Sequence, residues 1–171
     1  MESKVKVAGH PVHPMLIVFP LGLLATSVIF DIISLSTSDP KWSSMAWYMI
    51  GAGVVGGLLA AVFGLIDWLA IPANTRAKSV GLLHGGLNVL VVLLFIGSFL
   101  VRRPDPANPS GAALALSFVA VLIAVVAGWF GGELVDRLGV GVDEGANLNA
   151  PSSLSGQSAG SGAKSSRKLA S

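Results

Sequence analysis

The chain has 171 residues, of which 53% are hydrophobic and only 12% charged. A soluble domain carries about 25% charged residues, so half that share leaves too little polar surface for a water-facing globule. There is no cysteine, which excludes disulfides, thiolate metal sites and cysteine-held iron–sulfur clusters. The net charge of +2 is not the balance of a nucleic-acid-binding protein.

Residues 1–13 are short and polar, with Lys4 and Lys6 ahead of Gly9-His10-Pro11-Val12-His13-Pro14. From Met15 to Leu35 the chain is apolar except for Asp31. A bilayer core of about 30 Å needs roughly 20 such residues, and the run is too long for a signal peptide. Three more apolar spans are expected at about 45–71, 79–101 and 111–135, each ended by proline or charge. Each is apolar all round, whereas helices of a soluble bundle show polar faces. Helices satisfy their own backbone in lipid. The expectation is an all-α, four-helix transmembrane bundle over residues 1–142. Residues 143–171 are dominated by Gly, Ser and Ala and read as a disordered tail.

Four spans put both termini on one side. That side holds Lys4, Lys6, Arg76, Lys78 and Arg137 near span ends and Lys164, Arg167 and Lys168 in the tail, against Lys41, Arg102 and Arg103 opposite. The positive-inside rule then places both termini in the cytoplasm. The expected partner is the lipid bilayer, not nucleic acid. Trp42, Trp47, Tyr48, Trp68 and Trp129 fall near span ends, as interfacial anchors do.

Ionisable residues inside a membrane mark pairing or function. His10 and His13 stand at the entry to span one, Asp67 near the exit of span two, His84 near the start of span three and Glu133 at the end of span four. All lie at one depth, and only Asp31 belongs to the other leaflet. His10 and His13 are three apart, a spacing that aligns side chains in either a polyproline or an α-helix. His84 and Asn88, and Glu133 and Arg137, are four apart, the spacing of helix-surface partners and, for the latter, of an ion pair. Small residues at Gly53, Gly57, Ala60 and Gly64, and at Gly128 and Gly132, form stripes that allow close helix approach or self-association.

The combination resembles a bacterial four-helix membrane family known as domain of unknown function 2231. The resemblance rests on Gly9-His10-Pro11-Val12-His13-Pro14, Phe19-Pro20, Phe30-Asp31, Gly64-Leu65-Ile66-Asp67-Trp68-Leu69, Leu83-His84 with Asn88, and Gly128-Trp129-Phe130-Gly131-Gly132-Glu133-Leu134-Val135 followed by Gly139-Val140-Gly141-Val142. It covers about residues 8–142. It implies a bacterial inner-membrane protein with no established activity, and some relatives are fused to or encoded near redox proteins.

Three readings of the polar groups follow. They tie the helices together in a structural or assembly role. Alternatively, His10 or His13 binds b-type haem together with His84, with Asn88 beside it, as bundle haem sites require histidines from different helices. Or His10, His13, Asp67, His84 and Glu133 hold a transition metal. Either cofactor would serve membrane electron transfer. A proton or solute path lacks a carboxylate between Asp31 and Asp67. No Ser-His-Asp arrangement or phosphate-binding glycine loop marks the chain as an enzyme.

Overall fold

The computed structural model describes residues 1–161. It begins with a two-residue hairpin, β1 (Lys6–Val7) and β2 (His10–Pro11), paired antiparallel. Its turn, Ala8-Gly9, has positive φ at both residues (51° and 81°), as a hairpin that follows strand twist demands. Helix α1 (Val12–Leu16) runs into α2 (Val18–Thr37), followed by α3 (Pro40–Ala70), α4 (Arg76–Arg102) and α5 (Gly111–Gly132). The last turn, Glu133–Arg137, is π-helical. Four helical stretches, Val12–Thr37, Pro40–Ala70, Arg76–Arg102 and Gly111–Arg137, are long and apolar enough to cross a membrane.

Helix ends follow local chemistry. Asp39 caps α3 by accepting from the Lys41 amide at 3.1 Å, and Pro40 takes the first helical position. A proline costs nothing there because its missing N–H would be unpaired anyway. The helix therefore starts a turn earlier than the apolar run. The Lys41 ammonium and amide together hold the Asp39 carboxyl below its ordinary range. Ser110 caps α5 through the Ala113 amide.

The interior is built mostly of small residues. Ala46, Ala60, Ala113, Ala120 and Ala127 are buried, around a cluster of Leu24, Val28, Ile50, Val91 and Phe95. Large side chains such as Leu21, Leu58, Leu82, Leu122 and Val125 point outward. This is the arrangement lipid favours, because burying Leu from hydrocarbon gains little while close backbone approach gains packing.

At the end of the bundle distant from the hairpin, Arg102 donates from two guanidinium nitrogens to both Asp31 carboxylate oxygens, at 2.7 and 2.6 Å. Both side chains are fully buried. Ser98 and Ser117 hydroxyls accept two further bonds at 3.1 Å. This corrects the placement of Arg102 among the charges beyond the end of span three. The apolar run of span three ends at Val101, but α4 extends one residue further, and the long arginine stem carries its charge back into the bundle.

The chain beyond the π turn packs on the N-terminal segment. The Gly141 amide donates to the Met1 carbonyl at 2.8 Å, Lys6 bridges Glu2 and Asp143, and the Ser153 hydroxyl donates to the Ala8 carbonyl at 3.1 Å. These partners hold the Glu2 carboxyl below and the Lys6 ammonium above their ordinary ranges. Within the expected disordered tail, residues 143–161 thus form turns and one 3-10 turn, Ser153–Ser155. Residues 162–171, with Lys164, Arg167 and Lys168, lie outside the described residues.

A Cβ at Gly53 would stand 2.6 Å from Leu24 Cδ2, while one at Gly22 would meet nothing within 4 Å. Gly53→Val should therefore destabilise the detergent-solubilised protein by about 1–3 kcal/mol, the usual cost of overpacking. Gly22→Ala should instead stabilise it by up to about 1 kcal/mol through helix propensity. Chemical or thermal unfolding of both variants checks the opposite signs.

Candidate functional site

His13 enters α1 directly after Pro11-Val12, and its ring lies against α3. Its Nδ1 donates to the Ala60 carbonyl at 2.8 Å. His84, in the third turn of α4, makes the same bond to the Ala127 carbonyl of α5, also at 2.8 Å. A carbonyl only accepts, so Nδ1 carries the proton in both rings, and in neutral imidazole the lone pair is then on Nε2. Both carbonyls lie within α-helices, where a second hydrogen bond to the same oxygen is available from its other lone pair.

Glycines make this possible. A Cβ at Gly64 would stand 2.8 Å from His13 Cε1, and one at Gly131 would stand 3.0 Å from His84 Cε1. Gly64 and Gly131 each follow the accepting alanine by four residues, one turn along the helix. Each imidazole therefore lies on a bare patch of the neighbouring helix. The two ring centroids are 6.5 Å apart, with their planes at 88°. Both side chains are half-buried.

The remaining sequence candidates go elsewhere. His10 is exposed on β2, with Nε2 3.4 Å from the Ser153 hydroxyl. The expected alignment of His10 with His13 needs one regular helix through both, and the chain changes from strand to α-helix between them. Asp67 accepts from the Ser3 hydroxyl at 2.9 and 2.7 Å and from the Lys4 amide at 2.7 Å. The N-terminal segment, read from sequence as a short polar lead, folds back and occupies it. Glu133 pairs with Arg76 at 2.5 Å rather than with Arg137, which is exposed. The cause is the π turn. Its i→i+5 bonding, from the Leu138 amide to the Glu133 carbonyl at 3.2 Å, removes the α-helical alignment of residues four apart. Asn88 stays beside His84, donating to the His84 carbonyl at 2.8 Å and standing 3.4 Å from its Nε2.

The five residues expected as a metal set are thus dispersed. Among the described residues, no group of three or more His, Asp or Glu side chains could hold one ion. What remains together is the pair His13 and His84. Two of the expected interfacial aromatics also serve the bundle: Trp47 donates to the Phe99 carbonyl at 3.1 Å and stacks on its ring, and Trp68 donates to the Lys78 carbonyl at 3.1 Å. Tyr48 and Trp129 are exposed.

Gly64→Ala should displace the His13 ring from the Ala60 carbonyl. Imidazole nitrogen NMR should show His13 losing its fixed Nδ1–H form while His84 keeps it. Gly131→Ala should do the reverse. Because a deleted buried hydrogen bond is worth about 0.5–1.5 kcal/mol, unfolding should shift only modestly in both.

No curated protein and no protein of solved structure matches the chain. A family model does, over residues 9–144. Its description is "Predicted membrane protein (DUF2231)", in keeping with the four apolar helices and with the region carrying both histidines. With well over half its length matched, the chain belongs to the DUF2231 family of predicted membrane proteins.

Proposed function

We propose that this membrane protein binds one metal centre through Nε2 of His13 and Nε2 of His84, and that it serves membrane electron transfer. One observation carries the reading: both Nδ1 atoms are engaged by backbone carbonyls at 2.8 Å. Metal-binding histidines are characteristically held this way, with the second ring nitrogen fixed by a carbonyl or carboxylate and the first left basic. The separation also suits one ion. The two ring centroids are 6.5 Å apart, close enough for one centre between them with metal–nitrogen bonds of about 2.0 Å.

The donor count favours haem b over a bare ion. Asp67 and Glu133 are occupied by Ser3, Lys4 and Arg76, which leaves two imidazoles. A transition metal bound by protein alone takes about four ligands. If haem were bound, its iron would already hold four macrocycle nitrogens, and His13 and His84 would supply the ligands needed from the protein. Gly85 and Gly86 follow His84 and Gly128 follows Ala127 in sequence, and these exposed positions carry no side chains.

The same reading places the chain in the bacterial inner membrane with the histidines towards the cytoplasm. The Arg102 side chain is fully buried inside the bundle. Near the span ends Lys4, Lys6, Arg76, Lys78 and Arg137 then stand against Lys41 and Arg103, which supports this placement.

The purified protein, expressed with haem and trace metals supplied, should show a reduced b-type spectrum and about one iron per chain. His13→Ala and His84→Ala should each abolish both. A stoichiometric metal without the haem spectrum, lost in the same variants, assigns a bare ion. Neither signal in the wild type would overturn the proposal and leave the two histidines as ties between helices.

A further inference from the structure

The residues that meet at the two ends of the bundle share a numerical relation. His13 and His84 are 71 positions apart, and so are Asp31 and Arg102. Between them, Leu24 and Phe95, and Ser27 and Ser98, also lie 71 apart, and all four are buried. In the second helix of each half the interval is 67: Ala46 and Ala113, Gly53 and Ala120, Ala60 and Ala127, Gly64 and Gly131. Both members of the first three pairs are buried. The hydrogen bonds obey the same relation, His13 to Ala60 and His84 to Ala127.

The chain is therefore two versions of one helical hairpin, α1–α2–α3 and α4–α5. Both run the same way through the membrane. Parallel repeats of this kind are related by an axis along the membrane normal. A residue that meets its own equivalent must lie on or near that axis. Two such meetings occur: His13 with His84, at 6.5 Å between ring centres, and Asp31 with Arg102, in a buried two-pronged ion pair.

We infer that Asp31 and Arg102 are positioning residues for the His13–His84 site: their pairing sets the register in which the two hairpins bring the two imidazoles together. Eighteen residues separate the ion pair from the histidines within each half, about 27 Å of helix. Helix α4 is unbroken over that length, and α1 joins α2 through the single residue Ile17, so a shift at one end is carried to the other. The pairing is also selective. Two first hairpins, or two second hairpins, would set Asp against Asp or Arg against Arg in the buried interior. Only unlike hairpins satisfy it, and the Ser98 and Ser117 hydroxyls at 3.1 Å from the guanidinium supply its remaining bonds.

The test uses the absence of cysteine from the chain. A Cβ at Gly57 of α3 would stand 3.3 Å from Val92 Cγ2 of α4, across the seam between hairpins and within disulfide reach. The full chain carrying Gly57→Cys and Val92→Cys should form an intramolecular disulfide in membranes under mild oxidation. Adding Asp31→Arg or Arg102→Asp alone should lower the yield about tenfold or more, because each leaves like charges buried. Combining the two restores opposite charges and should return the yield to within about threefold of the parent. A double variant no better than the single ones would overturn the inference, as would single variants that cross-link like the parent. This readout needs no metal. Haem or metal content, measured on the same charge variants without the cysteines, should fall and recover in parallel. That arm rests on the proposed ligand reading. If the wild type holds no metal, the proposed function fails while the cross-link still decides the register.

Discussion

Lipid offers no hydrogen-bond partner, and that constraint orders the whole molecule. Helices meet it for the backbone. Side chains must meet it pairwise. The buried Asp31 carboxylate has the Arg102 guanidinium, which also reaches the Ser98 and Ser117 hydroxyls. The imidazoles of His13 and His84 have backbone carbonyls. Among the described residues, no buried side-chain nitrogen or oxygen lacks a partner. An isolated buried charge would be costly, and a pair recovers that cost only when its geometry is good and its remaining bonds are made. The two-pronged contact and the two serines meet both conditions.

Hydropathy is legible because it sums over 20 or more residues, and small local errors cancel. The four spans appear where apolar composition puts them, displaced by a few residues at their ends, as where Asp39-Pro40 starts α3 early and where α4 runs on to Arg102. The polar residues are equally visible as exceptions within apolar runs. Their partners are not. Pairing depends on what the chain does over one or two residues. The strand-to-helix change at Pro11-Val12 separates His10 from His13, and one π turn takes Glu133 from Arg137 to Arg76. The return of Ser3 and Lys4 to Asp67 spans more than 60 positions, beyond any local pattern. A signal for Arg102 does exist in the sequence: Asp31 stands alone in its leaflet, and a lone buried carboxylate requires a cation at the same depth.

The repeat explains why the histidines face each other at a seam rather than lining one helix. Duplicated hairpins present the same face to each other, so any side chain near the axis appears twice. Where the two copies share the residue, a like pair results, as with the histidines. Where they differ, an unlike pair results, as with Asp31 and Arg102. Similarity between the copies is low in sequence and high in the pattern of burial, because small size and depth constrain each position more than identity does.

Helix α3 runs for 31 residues, about 46 Å at 1.5 Å per residue, against a hydrocarbon thickness of about 30 Å. Its excess lies at the end near Asp39, where polar Lys41, Ser43 and Ser44 follow its first residue. A helix of that length either leans in the bilayer or stands proud of it. The second hairpin is shorter at that end, since α4 stops at Arg102 and an irregular link leads to Gly111. The link fills the height that the shorter hairpin leaves, since Ala107, Asn108 and Pro109 line one cavity with Ser38 and Pro40 at the ends of α2 and α3.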